Sequence, residues 1–375
     1  MERNTILVVG GYGQVGKIIC RRLVHDFPGN VIAAERNLEK AQAFSTEMNE
    51  TVLPMMLDIH QFDKSDPQLN SVALCLMCID QDDTELAAYC IKHHIHYLNI
   101  SPSYESLSRV KTLYDKVPEN ESTFVLGVGL APGLSNLLVK QCMEDFDEIL
   151  STDLYLMLGI GESHGYDGVK WLVSNLNKSF SVKINGSEQL VSSFTDGKKR
   201  MFNRAIGTRT AYRFDLADQH ILPTTLGIET VSSRFFYDSS FSTIALAFLK
   251  RLGIFHLLKI KGVRNLFIKF LVAALNIFQK LKIGSDQYIV KVETKGVKQG
   301  EIRNYETYIY GRDNTTITGE TAAIVAAKIM ENKSPIGVFY MEQFIHLDEI
   351  LPKLRQNVSF DLHSTSRQAF SLMNE

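Results

Sequence analysis

Near the N-terminus the run Gly11-Tyr12-Gly13-Gln14-Val15-Gly16 has the composition of a loop that cradles a diphosphate. That chemistry asks for glycine where the chain turns tightly, where the backbone approaches phosphate oxygens, and where the next helix lies against its strand. Gly11, Gly13 and Gly16 stand in those three places. Amides from about Gln14 to Gly16 then face the anion from a helix start. Alone, the pattern is weak, but its context is strong. An apolar strand precedes it, an apolar stripe at helical spacing (Val15, Ile18, Ile19, Leu23) follows it, and the acidic Glu35 lies about twenty positions on.

Glu35 would end the second strand, where a carboxylate accepts hydrogen bonds from an adenosine ribose and repels a 2′-phosphate. This tips the reading toward NAD. Its neighbour Arg36 can pair with a 2′-phosphate instead, which keeps NADP open, or with Glu35 itself in solvent. Asp58, ending the third strand, either reaches the adenine edge or caps the next turn. Met77, Cys78 and Ile79 end the fourth and line the adenine and ribose side of the crevice.

The elements that must position these groups alternate strand and helix with short connections, the pattern of a parallel α/β sheet. Candidate strands are Thr5–Val9, Asn30–Ala34, Val52–Leu57, Val72–Ile79, His96–Ile100 and Thr123–Val128. Several are apolar throughout, as strands covered on both faces must be. Asn37 can cap the second helix, and Asp83 or Thr84 a third. Six strands fill a doubly wound Rossmann domain over residues 1–130.

Beyond Gly129 the regularity stops. Asp153–Leu158, an Asn185-Gly186 hairpin, Gln287–Thr294 and Asn304–Tyr310 mark an α+β substrate or dimerisation domain over 131–318. Residues 319–358 open with an alanine-rich helix suited to close packing back on the first domain, and 359–375 read as a polar, loosely held tail. The stretch 239–285 contains eight Lys and Arg and no acidic residue, among many Leu, Ile and Phe. It fits helices packed on their own sheet or on a second subunit, or an interfacial membrane patch. Apolar helices usually face a core, which favours the packed insertion.

The net charge of −2 gives no electrostatic footprint for nucleic acid. Five cysteines, mostly in apolar runs, read as reduced buried thiols of a cytoplasmic protein. Cys75 and Cys78 fall three apart on a strand and face opposite sides, so neither a redox pair nor a metal site is expected. No signal peptide and no bilayer-spanning run is read from the sequence.

Downstream motifs carry a family resemblance. Tyr89 to Asn99, Gly127 to Asn136, Gly161-Glu162-Ser163-His164-Gly165 with Trp171, and Pro335-Ile336-Gly337-Val338 with Glu342 resemble segments of the saccharopine dehydrogenase family. The resemblance covers most of the chain, least well 239–285. It implies a Rossmann domain and an α+β domain with substrate in the cleft between them, and hydride transfer between nicotinamide and a C–N carbon of an amino acid or its imine adduct. Where the family has an aspartate, this chain has Asn99, which cannot act as a general base. That residue can hydrogen-bond the carboxamide or substrate, or cap its strand. The departure leaves a non-catalytic redox sensor as the alternative.

Such chemistry needs a proton-handling group at nitrogen and cations for carboxylates. His164, in a glycine-flanked turn, titrates in the right range, or else caps the helix carrying Trp171. Arg209 and Arg213 share one face of a strand and could hold carboxylates, or lie on a solvated face; His220 is a further polar candidate. Gly129, Pro132 and Gly133 form a turn placed beside the nicotinamide ribose. His93, His94 and His96 straddle a helix end and a strand start, and no metal is expected. A small amino-acid-like substrate and a homodimer complete the expectations.

Overall fold

The computed structural model describes residues 3–81, 83–162, 166–281, 283–331 and 334–368. The chain divides into two compact units, 1–134 with 315–358, and 135–314 with 359–375. Strands are numbered along the whole chain.

In the first unit β1 (Thr5–Val9), β2 (Val31–Glu35), β3 (Leu53–Met56), β4 (Val72–Met77), β5 (His96–Asn99) and β6 (Thr123–Leu126) form a parallel sheet. Every residue of β1 is buried, as continuous apolar sequence requires of a central strand. With a further strand β15 (Gly337–Tyr340) at one edge, the sheet runs β15-β6-β5-β4-β1-β2-β3, so the strand order reverses at β1 and β4. Ligands of open α/β sheets bind outside the carboxyl ends of strands at such a reversal.

Local chemistry sets the helices between strands. Asn37 Oδ1 accepts from the Lys40 amide at 3.1 Å and starts the helix Leu38–Glu47. Asp83 accepts from the Glu85 amide at the head of Glu85–Lys92, and the Ser103 side chain caps Tyr104–Asp115.

A seventh strand, β15 (Gly337–Tyr340), pairs parallel to β6. Four residues beginning with glycine carry no periodicity, so sequence patterning does not announce it. The helix Asn314–Met330 lies on the helix Gln14–Asp26: a Cβ at Gly319 would stand 2.7 Å from Ile18 Cγ2. The small side chain is what permits that approach.

The second unit holds a mixed sheet in the order β10-β11-β12-β7-β13-β14-β16. Its strands are β7 (Glu148–Leu158), β10 (Lys198–Met201), β11 (Thr208–Arg213), β12 (Val231–Tyr237), β13 (Gln287–Lys298), β14 (Glu301–Arg312) and β16 (Phe360–Gln368). Only β7 and β12 pair in parallel. A separate hairpin joins β8 (Ser179–Ile184) to β9 (Ser187–Ser192) through Asn185 and Gly186, both at positive φ as a tight hairpin turn requires. Helices Ser135–Met143 and Asp218–Thr225 pack on this sheet.

The stretch read as a loose polar tail is corrected by β16. Residues 360–368 pair antiparallel with β14 as an edge strand. A strand exposed on its outer side needs backbone partners rather than an apolar run, and its polar composition conceals it. The basic segment forms Ser240–Arg251, a short turn Ile254–Lys259 and the long helix Lys261–Lys280. No helix among the described residues is long and apolar enough to cross a membrane.

Candidate functional site

β1 delivers the chain into the glycine loop, and the helix Gln14–Asp26 leaves it. The tight turn belongs to Gly10, at φ +78°, rather than to Gly11 as the spacing suggested. The Gly13 amide closes the turn on Gly10 O at 2.9 Å. What excludes a side chain at Gly11 is β1 and β2 together: a Cβ there would lie 2.9 Å from both Val8 O and Ala33 Cβ. At Gly16 a Cβ would stand 2.2 Å from Gly10 O, so this glycine lets the helix close on the loop. At Gly13 a Cβ would approach only Gly10 O, at 3.1 Å, leaving that side open. Gly13 and Gln14 are exposed, Val15 half-buried. No side chain caps the helix and no acidic residue sits in its first turn. A helix start with no side-chain cap behind open glycine backbone is an arrangement that could receive an anion.

Around this loop the half-buried Tyr12 packs edge-on to Phe44, centroids 6.5 Å apart. Lys17 Nζ lies 4.5 Å and Lys40 Nζ 5.8 Å from the Tyr12 ring centroid. Lys17 is engaged by Glu47 at 3.2 Å, and Arg21 binds the same carboxylate. Hydrogen bonds from Lys17 and Arg21 hold the Glu47 carboxyl below its usual range.

At the end of β2 the half-buried Glu35 accepts from the backbone amide of Arg36 at 3.0 Å, and the Arg36 side chain is exposed. Asp58 accepts from the His60 amide at 3.0 Å, the contact of a turn cap. Cys78 follows β4, its amide bonded to Val9 O, and burial pushes its thiol well up. All five cysteines are free.

Asn99 is fully buried at the end of β5. Its Oδ1 accepts from the Ser101 amide at 2.6 Å, and its amide nitrogen donates to Tyr97 Oη, which also takes a hydrogen bond from Gln81. The side chain thus caps its strand and steers the chain toward the next helix. After β6, Gly127 turns at φ +68° and the Ala131-Pro132 bond is cis. A Cβ on Gly129 would stand 3.1 Å from Thr318 Cγ2, and one on Gly133, at φ +130°, would stand 3.0 Å from Met341 Sδ. Thr318 and Met341 lie far along the chain, so sequence spacing gives no sign that they shape this turn.

In the second unit His164 lies outside the described residues. The neighbouring Glu162 is buried and bonded by Asn314. Arg209 and Arg213 do not converge. Four residues along β11 separate their Cα atoms by roughly 13 Å. Arg213 binds Asp196 at 2.8 Å. That carboxylate also takes the wholly buried Arg234, which stands directly opposite Arg213. Arg209 lines a cavity of about 220 Å³ with Met157, Ile206 and Asp238, and its buried Nε has no hydrogen-bond partner. Asp238 is already committed to the amides of Ile160, Ser239 and Ser285. His220 binds Asp215 at 2.6 Å.

His93, His94 and His96 go separate ways. His93 stacks on Tyr89, while His94 and His96 each accept from a backbone amide, of Glu121 and Thr123. No cluster able to hold a metal occurs among the described residues.

Residues 6–125 match the family model described as the saccharopine dehydrogenase NADP binding domain. Over these residues the chain is similar to that domain of the saccharopine dehydrogenase family. The whole chain shares the fold of the L-Glu-forming saccharopine dehydrogenase of Saccharomyces cerevisiae, with a TM-score of 0.67 at 15% identity over 97% of this chain and 99% of that one. The C. glutamicum DAP dehydrogenase aligns over 96% and 97% of the two chains at 10% identity, with a TM-score of 0.45. No curated protein sequence matches the chain significantly.

Proposed function

We propose that the chain is an NAD(P)-dependent oxidoreductase acting at a C–N carbon of a small amino acid or its imine adduct. The observation that carries this reading is the uncapped helix start at Gln14, behind a loop in which a Cβ at Gly11 or Gly16 would collide with backbone, in a domain matched by an NADP-binding family model. The bound dinucleotide would supply the carbon that gives or takes a hydride.

The protein's own groups do the rest. Amides from Gln14 to Gly16 hold the pyrophosphate. Glu35 serves the adenosine ribose, with Asp58 and Cys78 on the adenine side. Arg36 and Lys40 are exposed cations that follow Glu35, with the exposed Glu39 between them in the sequence. We infer that they accept a 2′-phosphate, so that NADPH binds more tightly than NADH, against the NAD preference that Glu35 alone suggests. Gly129, Pro132 and Gly133 line the nicotinamide ribose. Arg209 takes the substrate carboxylate: a buried guanidinium nitrogen without a partner is stabilised by an anion entering its cavity. His164 handles the proton at the substrate nitrogen.

The test is fluorescence titration with NADPH and NADH, followed by an amino-acid and keto-acid panel read at the nicotinamide absorbance. Micromolar binding with turnover on the panel is expected. Absence of binding overturns the whole reading. Binding without turnover would leave the non-catalytic sensor, the reading favoured by an Asn99 fully occupied as a strand cap.

A further inference from the structure

The segment from Ser240 to Leu281 leaves many of its large apolar side chains exposed. Thirteen of the twenty-two large hydrophobic residues exposed among the described residues fall between 241 and 283. That stretch is about a ninth of the chain, so the concentration is not the ordinary scatter of surface leucines. Phe241 is 83% exposed, Leu266 70% and Phe270 65%. At roughly 150–200 Å² for a whole side chain, thirteen half-exposed ones present on the order of 1,000 Å² of apolar surface. A monomeric soluble protein rarely shows more than a few hundred.

The long helix Lys261–Lys280 is apolar on two sides. Ile268 and Leu275 are buried and face the protein, while Leu266, Phe270 and Ile277 repeat at helical spacing on the solvent side. On Ser240–Arg251 the exposed Phe241, Ile244 and Phe248 repeat in the same way.

Charge decides what covers this face. Residues 239–285 carry eight Lys and Arg and no acidic residue. Arg251, Lys259, Lys261, Lys269 and Lys280 are exposed. A second copy packed isologously would set this positive face against itself and desolvate like charges. An anionic bilayer surface answers both features. Apolar side chains enter the boundary between headgroups and acyl chains, and lysine and arginine stems lie along the apolar surface with their charges at the phosphates. Since no described helix can span a bilayer, the contact is one of lying on the surface.

We propose that the face formed by Ser240–Arg251, Ile254–Lys259 and Lys261–Lys280 docks the protein on anionic membrane surfaces. The experiment is co-flotation of the full chain with vesicles of phosphatidylcholine alone, or with about one-third phosphatidylserine. The bound fraction should be at least about tenfold greater on the anionic vesicles, and should fall at salt of about 0.5 M, where surface charges are screened. The triple variants Phe241→Ser/Phe248→Ser/Phe270→Ser and Lys259→Glu/Lys261→Glu/Lys269→Glu alter exposed residues only. Each should lose at least about tenfold of the binding while thermal melting and NADPH titration stay as in the parent. The proposal is overturned if the parent remains free of anionic vesicles, or binds neutral ones equally. It is equally overturned if sedimentation equilibrium shows a dimer that the serine variant dissociates.

Discussion

Two alanine substitutions three residues apart separate the structural from the ligand-binding duty of the glycine loop. At Gly16 an added Cβ meets Gly10 O at 2.2 Å and Gly11 Cα at 2.7 Å, both backbone atoms that cannot swing aside. The helix must retreat from its strand. Overpacking costs about 1–3 kcal/mol, and two backbone contacts this close place Gly16→Ala near the top of that range. Replacing glycine inside a helix returns about 1 kcal/mol. The net loss is about 2 kcal/mol, or a fall in Tm of about 4–8 °C for a domain of this size. At Gly13 the backbone is extended, φ −61° and ψ 167°, which alanine adopts freely, and the only contact is Gly10 O at 3.1 Å. Gly13→Ala should therefore leave Tm within about 2 °C of the parent. Its methyl group, however, occupies the open side where phosphate oxygens would approach. Displacing one charge-assisted amide contact costs about 1.5–3 kcal/mol, or about 10- to 150-fold in affinity. Thermal melting and NADPH titration on both variants make the comparison. If Gly13→Ala binds NADPH as tightly as the parent, the loop does not hold the pyrophosphate and the cofactor assignment fails with it.

Other substitutions probe groups with different duties. Arg36→Ala and Lys40→Ala should each weaken NADPH about tenfold and leave NADH within about twofold, by the worth of one charge-assisted contact to the 2′-phosphate; parallel titrations would refute the assignment if both nucleotides weaken together. Arg209→Gln should raise KM on the amino-acid panel by about 10-fold or more with little change in kcat, since a carboxylate anchor binds ground and transition states alike; an unchanged KM would remove Arg209 from the substrate site. Asp196→Asn leaves Arg213 and the buried Arg234 without their shared carboxylate. Urea unfolding should show a loss of about 2 kcal/mol, below the 3–5 of a sealed ion pair because Asp196 is half exposed. Burial lowers the His96 pKa, and its Nδ1 must be unprotonated to accept from Thr123. The neutral ring's contribution is complete above the unfolded value of about 6.5 and is lost as pH falls below it; His96→Gln should flatten that part of the stability profile.

What was legible in the sequence is what repeats locally. β1, β2, β4 and β6 announce themselves because a parallel strand covered on both faces is apolar almost throughout, and the Asn185-Gly186 turn because only a few residues accept positive φ. Asn37 and Asp83 are visible as caps for the same reason: the partner is two or three residues away. Where the partner is distant, the signal vanishes. That Gly11 has no room for a side chain depends in part on Ala33, in the next strand. That Arg213 is committed while Arg209 is not depends on Asp196, which enters from outside β11. Edge strands β15 and β16 hide because pairing, not periodicity, defines them.

The basic segment shows the same limit from the other side. Its helices and their missing acidic residues are plain in the sequence, yet an apolar stripe reads identically whether it faces a core or solvent. Two stripes on one helix resolve the matter only when one of them, Ile268 with Leu275, is seen to be buried. Among the described residues the second stripe then stays exposed. The general expectation that apolar helices face a core thus holds for one side of Lys261–Lys280 and fails for the other. The side on which it fails is rimmed by the lysines that an internal interface would have to exclude.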